Sequence, residues 1–386
     1  MVKSIKEGRV GVALIGAGMI AKTHVAALSD ARHDIALKKI ISRRPDNARY
    51  LAEFYEGEPP EFSSDVSAVA TDPDIPVAIV ATPPSVRKDI IEELAVAGTH
   101  ILLEKPLGRN PDEALELVEI CEREGVKLGV LFQHRMRAPS KAAARHIKSG
   151  ELGKLGLVEI EVPLWREQSY YDELGRGTYA RDGGGVMITN AIHSIDLALS
   201  LAGPVTSVQA MTATTSLHEM EAEDFAISGL RFSCGAVGSF VASTAMYPHR
   251  TEIIRLHFER ASLKLDKDAL EISWRNGSTD VEAKDDAPRN INPLLGGKHE
   301  WHQAVIEDFV DAVRLGRKPM VTGREALISH QLIAAIETSS RTGNPVQLAG
   351  IRGMSARRGV QPGSPGAGGK RAGSAAGEIG VRGDAE

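Results

Sequence analysis

Lys105 and His193 are the residues whose types and settings best suit moving a proton to or from an alcohol. Lys105 lies in Leu102-Leu103-Glu104-Lys105-Pro106-Leu107, at the end of an apolar run of strand character. Such strand ends form the edge at which open α/β sheets bind ligands. Desolvation and a cationic neighbour would lower the lysine pKa, Glu104 offers an opposing carboxylate, and Pro106 restricts the lysine backbone to an extended form. His193 follows Gly183-Gly184-Gly185 and stands three residues before Asp196, on one helix face. Three glycines let backbone approach a ligand closely, and histidine titrates near neutrality. Taken singly, the Glu-Lys-Pro tripeptide reads as a surface turn and His193 as a structural histidine. Their joint occurrence with a cofactor turn points to chemistry.

That turn is Ile15-Gly16-Ala17-Gly18-Met19-Ile20-Ala21, where the apolar run from Val10 passes into a helical pattern. Gly16 permits the tight bend, Gly18 leaves space for a pyrophosphate, and small Ala21 allows close packing of helix on strand. The helix N-terminus presents free N–H groups and a partial positive charge to the phosphates. The next strand ends Ile41-Ser42-Arg43-Arg44-Pro45, without a carboxylate to bond a ribose 2′-hydroxyl. Two guanidinium groups and a hydroxyl suit a 2′-phosphate, which favours NADP over NAD. The alternative makes Arg43 and Arg44 a solvated turn and leaves the ribose to Asp46 or to backbone.

The elements that must position these residues alternate. Apolar runs at Val10–Ile15, Leu37–Ile41, Val77–Ala81, Ile101–Leu103 and Lys127–Val130 are separated by amphipathic stretches such as Val86–Ala97 and Pro111–Arg123. This order predicts an α/β Rossmann domain, a doubly wound parallel sheet, over 1–132. From 133 to 348 the pattern predicts an α+β domain with a large, mostly antiparallel open sheet: strands at Leu157–Leu164, Val205–Thr215, Asp224–Phe232, Ala236–Ala245, Ile253–Phe258, Ser262–Leu265 and Leu270–Trp274, with helices near Pro139–Ser149, Ile188–Leu201, His299–Leu315 and Arg324–Arg341. Residues 349–386 are glycine-rich and poor in large apolar side chains, which predicts a disordered tail.

The 386 residues carry 46 Lys+Arg against 51 Asp+Glu, a net charge of -5 that supplies no global attraction for nucleic acid or an anionic membrane. The longest uncharged apolar run, from Val10 to Ala21, is too short to span a bilayer, and a charged, polar start gives no signal-peptide pattern. Two cysteines are too few for a disulfide framework, so the expectation is a cytoplasmic protein. His299-Glu300-Trp301-His302 lacks metal-ligand spacing and a third ligand, so no metal is assigned.

Gly16-Ala17-Gly18-Met19-Ile20-Ala21-Lys22-Thr23-His24, Glu104-Lys105-Pro106, and Gly183-Gly184-Gly185 with His193-Ser194-Ile195-Asp196 together resemble the Gfo/Idh/MocA oxidoreductase family, over about Val10 to Leu348. The resemblance implies a nicotinamide cofactor held near a sugar or polyol, proton transfer by Lys105 and His193, and a homo-oligomer, dimer or tetramer, formed through the second sheet. It implies cofactor contacts from Gly16, Gly18, Met19, Ile20, Ser42, Arg43, Arg44, Thr82, Pro83, Arg87, Glu104 and Lys105. Thr189 stands where many relatives have aspartate, and Arg87 where many have histidine, which would put a fixed cation near the nicotinamide.

Between these motifs, Trp165-Arg166-Glu167-Gln168-Ser169-Tyr170-Tyr171-Asp172, then Arg176, Tyr179 and Arg181, concentrate polar aromatic and guanidinium groups. Such groups stack on sugar rings and bond their hydroxyls, though an oligomer contact uses the same types. Substrate contacts are expected from Lys105, Arg135, Trp165, Tyr170, Tyr171, Tyr179, Thr189, Asn190 and His193. The expected reaction interconverts a secondary alcohol and a ketone on a sugar, polyol or cyclic substrate. Two alternatives are glycoside cleavage through transient oxidation and a non-enzymatic dinucleotide sensor.

Overall fold

The computed structural model describes residues 2–5, 8–283 and 298–348. The expected tail, 349–386, lies outside the described residues. Six strands, β1 (Val10–Ile15), β2 (Ile35–Ile41), β3 (Glu61–Ser63), β4 (Val77–Val80), β5 (His100–Glu104) and β6 (Leu128–Leu131), form a parallel sheet in the order 3-2-1-4-5-6. Every residue of β1, β4, β5 and β6 is buried, because helices cover both faces of the sheet. The switch in strand order falls between β1 and β4, where doubly wound sheets open a ligand crevice.

Local signals set the helix ends. Asn110 accepts from the Glu113 N–H at 2.9 Å to cap Pro111–Arg123, with proline at the first turn. Thr322 and Glu325 form a reciprocal capping box on Gly323–Thr342, which stops at left-handed Gly343. After β2, a short α-turn, Pro45–Ala48, continues as a 3-10 helix over Arg49–Phe54.

The second sheet has nine strands: β7 (Leu155–Pro163), β8 (Val205–Ala213), β9 (Phe225–Phe232), β10 (Val237–Ser243), β11 (Ile253–Phe258), β12 (Ala261–Leu265), β13 (Leu270–Trp274), β14 (Thr279–Glu282) and β15 (Val346–Gln347), ordered 14-13-12-11-7-10-9-8-15. All neighbours are antiparallel except β7 and β10. Burial alternates along β9, β11 and β12, so one face packs on helices and the other faces outward. Two rows on the outward face pair Met211 with Ile227, and Val237 with Leu157, all substantially exposed.

The helix Glu300–Arg314 packs back on the first sheet, not the second. Val305, Ile306, Phe309 and Val310 share a core with Val12, Leu14, Leu102 and Leu131. By this return the helix joins the two sheets, and residues through Leu348 form one compact unit. An amphipathic pattern shows that a helix has an apolar face but not which sheet receives it.

Candidate active site

The glycine turn is stitched into the switch point. Gly16 N–H donates to the Ile41 carbonyl and Ala81 N–H to the Ile15 carbonyl, both at 2.8 Å. Gly16 has φ +112°, and a Cβ there would lie 2.8 Å from the Ala81 carbonyl oxygen, so glycine is required by conformation and by space. A Cβ on Gly18 would meet nothing within 4 Å. The helix Ala21–Asp30 begins here without a side-chain cap, its Ala21 N–H donating to the Gly18 carbonyl at 3.0 Å; its N-terminal partial positive charge suits an anion, and Met19 is exposed beside it. Arg43 and Arg44 are exposed beyond β2, and among the described residues neither has an ion-pair partner. Ser42 Oγ accepts from Arg44 N–H at 3.3 Å, while Asp46 pairs with Arg49 at 3.1 Å. At the end of β4 the buried Thr82 hydroxyl has no hydrogen-bond partner. An open phosphate cradle, free guanidinium groups and an orphaned hydroxyl on one sheet edge fit a dinucleotide.

Two of the expected cofactor contacts, Arg87 and Glu104, are buried and bonded within the protein. Arg87 is 2% exposed, and its guanidinium donates to the carbonyls of Thr82, at 2.7 and 2.9 Å, and Pro106. Burial lowers its pKa to about 10, with Glu104 opposing. It clasps the two loops flanking the site and supplies no open cation. Glu104 is also turned inward. One oxygen is 2.9 Å from His24 Nε2 and 4.0 Å from His302 Nε2, and the other accepts the Lys105 N–H at 3.1 Å. Burial would raise this carboxyl, but the hydrogen bond with His24 and the positive charge around it hold it at about 2. It ties β5 to the Ala21–Asp30 and Glu300–Arg314 helices.

Lys105 projects the other way. Its Nζ donates to the Thr189 carbonyl at 2.8 Å, in a π-helical turn, Met187–Ala191, that leads into the helix Ile192–Ala202 carrying His193. Glu223 orders that turn by accepting from the N–H groups of Gly185 and Met187, both at 3.0 Å. A Cβ on Gly185 would overlap the Glu223 carbonyl, so the third glycine is there for packing. The Thr189 hydroxyl sits 2.6 Å from the Gly185 carbonyl and 2.9 Å from Asn190 Oδ1, which places both at this corner.

His193 is 8% exposed and stacks on His134 with ring centroids 4.5 Å apart. Its Nδ1 is buried without a hydrogen-bond partner. Burial, then the neighbouring His134 and Lys105, push its pKa well below the ordinary histidine value, so the ring is neutral at physiological pH. Desolvation lowers Lys105 as well, helped by Arg87, Arg176 and Arg166 and opposed by Glu104. Behind His134, Glu252 pairs with Arg137 at 2.8 Å, accepts from Ser194 at 2.8 Å and lies 3.4 Å from His134 Nδ1. Arg135, expected on the substrate, makes a bidentate pair with buried Asp196 at 2.7 Å for both bonds. A guanidinium so saturated fixes the Gln133–Met136 turn to the His193 helix.

Trp165, Tyr170 and Tyr171 gather around His218, a residue absent from the sequence-based set. Trp165 and Tyr171 lie 5.7 and 4.9 Å from its ring, and Tyr171 meets Tyr170 edge-on at 5.1 Å. His218 is anchored by Asp224 at 2.8 Å and by the Arg166 carbonyl at 2.9 Å, and Tyr171 bonds Thr244 at 2.6 Å. Tyr179 goes elsewhere, to a cavity of about 380 Å³ that it shares with Arg109, His330 and Glu337. His134, with Arg135 and Arg137 just after the last strand of the first sheet, is placed by the sequence for substrate or for domain packing, whereas no local motif marks Glu252 or His218.

The chain matches two family models: an oxidoreductase family with an NAD-binding Rossmann fold over residues 10–132, and the Gfo/Idh/MocA C-terminal domain over residues 140–264. It is 28% identical over 351 residues to scyllo-inositol 2-dehydrogenase (NAD(+)) of Bacillus subtilis strain 168, covering 89% of this chain and 97% of that protein. It is 25% identical over 358 residues to D-glucoside 3-dehydrogenase of Escherichia coli K12, covering 87% and 97%. Among solved structures, the WlbA dehydrogenase of Bordetella pertussis in complex with NADH and UDP-GlcNAcA superposes with a TM-score of 0.76 at 26% identity, covering 89% of this chain and 99% of that one. The parallel sheet with its open glycine turn, the antiparallel sheet behind it and these matches make one conclusion: the chain belongs to the Gfo/Idh/MocA family of oxidoreductases.

Proposed function

We propose that this protein is an NAD(P)-dependent dehydrogenase that interconverts a secondary alcohol and a ketone on a sugar or polyol. The observation that carries the reading is the junction of Lys105 with the His193 segment, through the Lys105–Thr189 hydrogen bond, at the same sheet edge as the glycine turn. A bound nicotinamide supplies the hydride acceptor. Lys105, its ammonium form disfavoured by burial, takes the hydroxyl proton at Nζ. His193, kept neutral, orients the same hydroxyl and shares its proton. The Thr189 carbonyl holds Nζ in place. The aromatic loop from Trp165 to Tyr171 provides apolar faces for a sugar ring.

NADP is the preferred cofactor on this reading, because Arg43 and Arg44 are exposed and uncompensated where a 2′-phosphate would lie. The outward rows that include Met211, Ile227, Val237 and Leu157 are the surface on which a homo-oligomer would assemble. The test follows nicotinamide absorbance during turnover of sugars and polyols. Stoichiometric reduced cofactor is expected, with Lys105→Met and His193→Ala each lowering kcat about 10²–10⁴-fold while dinucleotide binding persists. Near-parental turnover in both variants, or product release without net cofactor reduction, would defeat the reading. A lower KM for NAD than for NADP would remove the cofactor preference alone.

A further inference from the structure

Arg166 stands out by its charge balance. Its backbone is fixed: the N–H donates to the Thr244 carbonyl and the carbonyl accepts from His218, both at 2.9 Å. Its side chain has no ion-pair partner among the described residues, and the buried Nε has no hydrogen-bond partner. A guanidinium left partly desolvated and unpaired is costly unless function fills the gap. Its contact is Tyr170, whose ring centroid lies 5.0 Å from the Arg166 guanidinium and 5.0 Å from that of Arg176. Tyr170 thus aligns two cations.

The acids nearby are already committed. Glu167 accepts from the Trp165 indole at 2.7 Å. Glu173 is shared by Arg176 at 3.1 Å and Arg181 at 2.8 Å. Asp182 accepts the Gly177 N–H at 3.0 Å and lies 3.7 Å from Arg181. Asp172 accepts from Gln168 at 3.1 Å. Arg166 and Arg176 also act on Lys105, whose main opposing carboxylate, Glu104, is turned away to His24. The main charges acting on Lys105 are thus three guanidinium groups, of Arg87, Arg176 and Arg166, against one carboxylate.

We propose that the substrate is an anionic sugar, and that Arg166, with Arg176 beside it, binds its carboxylate or phosphate ester while Lys105 and His193 face the reacting carbon. This rests on the dehydrogenase reading and adds the substrate class to it. Guanidinium groups bind both kinds of anion through paired N–H donors. A fixed anion there gives the unpaired Arg166 guanidinium a partner and orients the ring.

The test uses the full chain with D-glucuronate, D-gluconate and D-glucose 6-phosphate against neutral D-glucose and D-glucitol, by initial rates with NAD and NADP and by calorimetric binding to the NADH- or NADPH-loaded protein. At least one anionic compound should exceed its neutral counterpart about tenfold or more in kcat/KM or in affinity. The better of the carboxylate and phosphate arms identifies the group bound. Arg166→Gln should raise KM or Kd for that compound about 10–100-fold, matching the loss of a charged hydrogen-bond pair, with dinucleotide affinity unchanged. Arg166→Lys should recover part of the loss. Arg176→Gln, with its melting temperature measured alongside, provides a second route if Arg166→Gln does not fold. Neutral sugars matching the acids in both rate and binding, or an Arg166→Gln loss equal for both classes, would overturn the proposal even where Lys105→Met abolishes oxidation. Selective anion binding lost in Arg166→Gln, with no reduced cofactor from any compound, would instead uphold it and bring down the dehydrogenase reading.

Discussion

At the Gly16–Gly18 turn the working parts are backbone N–H groups and empty space. Around Lys105 and His193 they are side chains brought from β5, from the helix after the glycine triplet, from the Gln133–Met136 turn and from the Trp165 loop. The first arrangement needs only a strand, a bend and a helix, contiguous in the chain. The second needs several segments to pack correctly before any proton can move. The cofactor side should therefore yield to single substitutions in a separable way, whereas the substrate side is coupled through buried charge.

The sharpest way to probe that contrast is within the turn itself. Gly16→Ala places a Cβ 2.8 Å from the Ala81 carbonyl at φ +112°, so it should destabilise the protein by about 2–4 kcal/mol, read as a lower Tm. Gly18→Val meets no protein atom near its Cβ, so Tm should hold while the dinucleotide Kd rises about 100-fold or more. Similar behaviour of the two variants would erase the distinction between structural and ligand-facing glycines.

On the side of buried charge, Glu104 provides the next test. Its folded pKa, about 2, lies below the ordinary 4.5, so its stabilising contribution is present above about pH 4.5 and is lost as pH falls through about 2. Glu104→Gln should lower stability by about 1–3 kcal/mol at pH 7 and flatten the acid limb of denaturant-derived stability. An unchanged limb would mean that the His24 and His302 contacts carry no net stabilisation.

Glu337 is the opposite case and the smallest effect. Desolvation, reinforced by Glu223, raises its pKa from 4.5 to about 7. The unfolded chain therefore ionises first, and stability is lost as pH rises from about 4.5 through 7. Glu337→Gln should stabilise the protein at pH 8, by on the order of 1 kcal/mol, and leave it unchanged at pH 4. A thermal-shift series across that window distinguishes the outcomes, and a gain independent of pH would show that the carboxyl charge is not the cause.

Most strands of both sheets were legible in the sequence because buried runs and alternating patterns are local. Glu61–Ser63, Thr279–Glu282 and Val346–Gln347 were not, since short strands with little burial carry no periodicity. The candidate site divides in the same way. Gly16, Gly18, Lys105 and His193 could be named from motifs, but Arg87, Glu104 and Arg135 have the residue types of a binding site and the surroundings of a scaffold. Tyr179 was grouped with Tyr170 and Tyr171 by proximity in the chain, and the fold sends it to the cavity beside Glu337.

The amino-acid order by itself determined the phosphate turn, the alternation that builds the parallel sheet and the two-residue periodicity of the second sheet, because each depends on neighbours a few positions apart. Only the tertiary structure decided which charged groups face inward and which face the site. The stacking of His134 on His193, the capture of Glu104 by His24 and the uncompensated Arg166 arise between residues distant in sequence, and whether a charge is neutralised depends on distances and burial that no local pattern encodes.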